Sequence, residues 1–106
     1  MTTFDERERA FENQFAHDEE VRFRVRARRN RALAAWASAR LGKDGAIATA
    51  YGDDVVAAGV SGSDDAALAQ RVADDLAAGG HAVPVAEVRA EMDRQLAVAL
   101  QHERSS

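Results

Sequence analysis

The 106 residues include no cysteine and only one proline, one tryptophan and one tyrosine. Without cysteine there is no disulfide framework and no thiolate chemistry. No window approaches about eighteen apolar residues, and the N-terminus lacks a basic stretch followed by an apolar one. Neither a membrane span nor a secretory signal is therefore expected, and a soluble, reducing compartment is the expectation that follows. Large apolar side chains are scarce too. Hydrophobic residues make up 46% of the chain, but 24 of them are alanine. A core must be thin, with helices approaching closely over methyl groups. Alanine at this level favours helix throughout, and a chain of this length holds one domain.

The net charge of −4 is unevenly divided. Residues 1–41 carry nine basic and seven acidic groups, and residues 42–106 carry five and eleven. Such asymmetry suits docking by one end while the other stays solvated.

The basic part opens with Phe4-Asp5-Glu6-Arg7-Glu8-Arg9-Ala10-Phe11-Glu12-Asn13-Gln14-Phe15-Ala16. At about 100° per residue, Phe4, Phe11 and Phe15 fall within roughly 40° of one another on a helix. Thr3 with Glu6 makes a capping box, Asp5 and Glu6 suit the positive end of the helix dipole, and Asp5–Arg9 is an i,i+4 pair. A helix this short is marginal alone in water. Burying one phenylalanine contributes roughly 1.5–3 kcal/mol, so whatever covers the stripe decides whether the helix forms. The cover is either the protein's own core or a partner's groove.

His17-Asp18-Glu19-Glu20 reads equally as a join or as the solvated part of one continuous helix. Val21 to Ala27 alternates as a half-buried strand would, but its flanks are helix formers and no second strand exists to pair with it. A helix is expected instead, with Val25, Ala32, Leu33, Trp36 and Ala37 on its apolar side and Gly42 as a left-handed cap. Trp36 is the expected large core residue. A second helix is expected from about Ala46 to Ala58, with Ile47, Ala50, Tyr51 and Val55 on one face. Gly52 weakens it by roughly 1 kcal/mol relative to alanine. Gly59-Val60-Ser61-Gly62 reads as a loop. Ser63 offers an N-cap for a third helix from about Asp64 to Ala78, with Leu68, Val72 and Leu76 as its buried stripe and Gly79-Gly80-His81 as its stop. Pro84 suits the first position of a fourth helix ending near His102, whose apolar face is Val88, Met92, Leu96, Ala99 and Leu100. The expected fold is all-α, a small four-helix bundle.

Chemistry is sparse. Gly42-Lys43 lacks the earlier glycine, the following hydroxyl and the preceding strand of a phosphate-binding loop; a weak nucleotide site on the bundle surface would leave no local signature. His17, His81 and His102 lie far apart with no metal-ligand spacing. Asp53-Asp54, Asp64-Asp65 and Asp74-Asp75 match no calcium loop. No constellation suggests catalysis, so no cofactor, no metal and no enzyme activity are expected. Six of the ten residues from Arg22 to Arg31 are arginine, a run able to bind phosphates of nucleic acid or lipid. Against this, the arginines point around the whole helix, acids precede them, and the net charge is negative. The preferred expectation is that some pair with the acidic C-terminal half and others meet a partner's carboxylates.

The run Phe4 to Ala16, continued by His17-Asp18-Glu19-Glu20-Val21-Arg22-Phe23-Arg24, Ala27-Arg28-Arg29-Asn30-Arg31, Trp36-Ala37 and Leu41-Gly42, resembles the zeta subunit of alphaproteobacterial F-type ATP synthases. The resemblance is dense over residues 4–42 and looser beyond. It implies an inhibitory segment at residues 1–18, frayed or helical depending on the partner, a bundle over 19–103, and a frayed end at 104–106. It implies inhibition of ATP hydrolysis, with the segment wedged between the alpha and beta subunits and the gamma shaft, in a protein that is monomeric when free and peripherally attached to the synthase on the inner membrane, with no direct membrane insertion. Carried onto this chain, the partner-binding residues are Phe4, Asp5, Glu6, Arg7, Glu8, Arg9, Ala10, Phe11, Glu12 and Phe15, with secondary contacts from Arg22, Phe23, Arg28 and Arg29. Asn13-Gln14, Gly52 and Val83-Pro84 depart from the family's pattern. The other readings are a helical adaptor for a different protein and an arginine-mediated nucleic-acid binder.

Overall fold

A computed structural model describes residues 18–60 and 64–105. Within them the chain forms four helices and no strand: α1 (Glu19–Leu41), α2 (Gly45–Val60), α3 (Asp65–Ala78) and α4 (Val85–Ser105). The ends follow local chemistry. The Asp18 carboxylate accepts the Val21 N–H at 3.0 Å, and Glu19 and Glu20 occupy the anion-favouring first turn of α1. Gly42 closes that helix at φ 70°, where the Lys43 N–H donates to the Ser38 carbonyl at 2.9 Å. Lys43 thus spends its amide on a helix cap and not on a phosphate loop. Gly80 at φ 82° serves the end of α3, and the His81 N–H reaches back to the Leu76 carbonyl at 2.8 Å.

α1 is the central element, packing on α2 and α4, while α3 packs mainly on α4. The main core joins Leu33, Ala34 and Ala37 of α1 to Val55 of α2, Leu68, Val72 and Leu76 of α3, and Val88 and Met92 of α4. A smaller cluster of Val25, Leu96, Ala99 and Leu100 ties the first half of α1 to the last half of α4. The expected stripes of α3 and α4 are all buried, and the Val21–Ala27 alternation is helical.

Several expectations are corrected. α2 continues through Gly59 to Val60, because Gly59 lets α2 close on α1: a Cβ there would overlap the Asn30 side-chain amide. Ile47 is 63% exposed and Ala50 is also outward, leaving Val55 as the buried residue of the expected α2 face, with Tyr51 half-buried. Ser63 lies outside the described residues, and Asp64 caps α3, accepting the Ala67 N–H at 2.7 Å. α4 begins at Val85, with Pro84 supplying a carbonyl to Glu87, and runs past His102 to Ser105, taking Arg104 into the helix. Trp36 is only partly buried, its ring covered by Arg40 at 4.3 Å from the centroid. The largest buried side chain is instead Arg29.

A candidate docking face on the arginine-rich helix

Helical spacing divides the arginine run. Val25, Arg29, Leu33 and Ala37 follow one another at i+4 intervals and all face inward. Arg29 is 1% exposed, and its guanidinium grips the Asp65 carboxylate of α3 through two bonds, Nη2–Oδ1 at 2.7 Å and Nη1–Oδ2 at 3.1 Å, while Nε donates to Asn30 Oδ1 at 3.0 Å. Arg26 stands 3.7 Å from the same carboxylate. Burial alone would raise the Asp65 pKa, but the Arg29 hydrogen bonds and charge, helped by Arg26 and Arg89, outweigh it and hold the carboxyl below its ordinary value. Arg24 pairs with Glu103 of α4 at 2.6 Å and with Glu20 at 3.6 Å; Arg31 pairs with Asp53 of α2 at 3.0 Å. One arginine run therefore ties α1 to each of the other three helices. The expectation that some of these arginines pair with the acidic C-terminal half is met, and few are left to track a phosphate backbone.

Arg29 is accordingly removed from the partner-contact set, since its side chain is enclosed and committed to Asp65. Phe23, in contrast, is 56% exposed, an uncommon position for a large apolar ring. It borders two hollows. One of about 250 Å³ is lined by Glu19, Arg22, Phe23 and Arg26. The other is an open groove of about 540 Å³ between α1 and α2, with Ala27, Ala32, Ala35 and Val56 as its apolar floor and Arg24, Arg28 and Arg31 at its rim. Arg28 is exposed on that rim. Arg22 is half-buried beside Phe23. The structure thus brings Arg22, Phe23 and Arg28 to one end of α1. The groove itself was not anticipated, although Phe23, Ala27, Arg31 and Ala35 at i+4 spacing are its signal in the sequence. Phe4, Asp5, Glu6, Arg7, Glu8, Arg9, Ala10, Phe11, Glu12 and Phe15 lie outside the described residues.

Elsewhere, the Tyr51 hydroxyl donates to Asp75 Oδ2 at 2.8 Å, and burial, with that bond and the Asp75 charge, raises its pKa. Among the described residues no group of three or more histidines or carboxylates is placed to hold a metal, and no helix is long and apolar enough to cross a membrane.

No curated protein and no solved structure matches the chain. The family model described as ATPase inhibitor subunit zeta matches residues 1–102, taking in both the N-terminal segment and nearly all of α1–α4. With an all-helical fold and a match over almost its full length, the chain belongs to the ATPase inhibitor subunit zeta family.

Proposed function

We propose that this chain inhibits ATP hydrolysis by the catalytic head of the F-type ATP synthase by inserting residues 4–15 as a helix where the alpha and beta subunits meet the gamma shaft. The observation that carries this reading is the family match, which begins at residue 1 and so includes the phenylalanine stripe. Phe4, Phe11 and Phe15 act as apolar anchors, and Asp5, Glu6, Arg7, Glu8, Arg9 and Glu12 set register through polar contacts. The local geometry at Asp18 supports a division of labour: α1 starts with its own side-chain cap there, which satisfies one of its free backbone donors from within the described residues. The bundle serves as a stop against the outside of the head, with Arg22, Phe23 and Arg28 as its secondary contacts. The protein is regulatory, acts as a cytoplasmic monomer when free, and attaches peripherally to the synthase at the inner membrane.

Adding the purified chain to purified synthase tests the reading. Hydrolysis should fall in a saturable way while synthesis driven by a proton gradient persists. Hydrolysis that is unchanged at saturating chain would refute it.

A further inference from the structure

We propose that the groove between α1 and α2 receives a helix of a partner protein, one whose apolar row is flanked on one side by carboxylates. Shape is the first support. From Phe23 to Ala35 the groove follows about 18 Å of α1, the length of roughly three turns of a guest helix. Its floor of Ala27, Ala32, Ala35 and Val56 carries nothing larger than valine. A guest helix can therefore lie close and set its own larger side chains between α1 and α2. Phe23, standing exposed, offers a ring to one end of that row.

Charge is the second. Arg24, Arg28 and Arg31 follow at i, i+4 and i+7, which places them in one row about 10 Å long beside the floor. Among the described residues no acid lines the groove. Arg24 is held by Glu103, and Arg31 by Asp53 in an exposed pair that water and salt weaken. Arg28 makes no ion pair among the described residues. The unmatched charge thus sits at the middle of the row, and a guest carboxylate opposite Arg28 completes it.

The same features select against other occupants. The groove is open along its length and does not enclose most of a small molecule's surface, as a ligand pocket does. Its floor offers no donor to a phosphate or a base, so a duplex or a lipid headgroup would meet only the rim.

The docking follows from α1 and α2 alone. Only the partner's identity rests on the inhibitory reading above, which makes the guest a surface helix of the catalytic head. A bundle held there keeps the N-terminal segment at high local concentration beside the head, so the groove acts on affinity and not on the block itself.

The absence of cysteine makes a direct test simple. A benzophenone is attached at Ala39→Cys, an exposed site one turn past Ala35, and the full chain is photolysed with the purified catalytic head. The crosslink should fall on a helical segment of the head that bears carboxylates, and Arg28→Glu should reduce it severalfold. Arg28→Glu should also weaken binding to the head severalfold, the deficit shrinking as salt rises, while Arg28→Lys stays close to the parent. Arg28 is exposed, so the three chains should melt alike. A crosslink to a loop or strand of the head, within the chain itself, or to a second copy overturns the proposal. So does undiminished binding by Arg28→Glu. Retention on phosphatidylglycerol vesicles or duplex DNA that Arg28→Glu abolishes, without a crosslink to the head, assigns the row to phosphates and overturns it as well. A crosslink by a chain that never lowers hydrolysis retains the docking and removes the inhibitory reading; inhibition with no crosslink does the reverse.

Discussion

Arg28 and Arg29 are neighbours in the chain with opposite fates. Arg29 lies on the inward stripe with Val25 and Leu33, enclosed and gripping Asp65 through two bonds; Arg28, a hundred degrees round the helix, stands in solvent at the rim of a groove. Both contribute equally to any count of basic residues, yet one holds α1 to α3 and the other is available to a carboxylate from elsewhere. Composition cannot separate the two, but helical phase can. The same contrast divides the phenylalanine-bearing face of α1 from its core face.

The largest expected effect comes from breaking the buried pair. Asp65→Ala leaves the Arg29 guanidinium enclosed without its counter-charge and should destabilise the bundle by about 3 kcal/mol, the low end of such losses because Asp65 itself keeps 15% exposure. Urea unfolding measures it, and Arg29→Met combined with Asp65→Leu should recover most of the loss. Next is Gly59→Ala, expected to cost about 1–3 kcal/mol because a methyl there collides with Asn30. Gly52→Ala sharpens the comparison: its methyl would meet only the movable tip of Arg31 at 3.1 Å, so helix propensity should prevail and stability rise by up to about 1 kcal/mol. Two glycines of one helix should thus give opposite signs in the same melt. Arg28→Ala should change stability by less than about 0.5 kcal/mol.

Stability should also depend on pH at both extremes. Asp65 has a lowered folded value, so its contribution is present above about pH 4 and lost as acid takes the pH through that value. Tyr51 has a raised folded value, so its contribution is present below about pH 10 and lost in stronger alkali. Asp65→Asn should flatten the acid limb of the unfolding midpoint, and Tyr51→Phe the alkaline limb. An unchanged acid limb in Asp65→Asn would mean that the pair contributes little to the folded state.

Much of the fold was legible from caps and stripes. Gly42, the leucine–valine rows of α3 and α4 and the short connections each state their role in the sequence, because a thin alanine core leaves few ways to place the larger residues. Arg29 was taken as a secondary partner contact, although its spacing from Val25 and Leu33 places it on the inward stripe. Gly59 was misread as loop because its role is to admit Asn30 of another helix, and no local pattern carries that. Trp36 was assigned to the core on size, yet Arg40 is able to cover its outer part. Of the docking face, Phe23 and Arg28 could be picked out in advance, whereas the groove depends on where α2 crosses α1.

The central claim is that the first fifteen residues inhibit and the four helices do not need them. Its most direct test is ATP hydrolysis by purified synthase with a chain lacking residues 1–15, assayed beside its thermal melt. The account predicts full hydrolysis and a cooperative melt with the helical signal retained. Undiminished inhibition by the shortened chain, or its failure to fold, would contradict it.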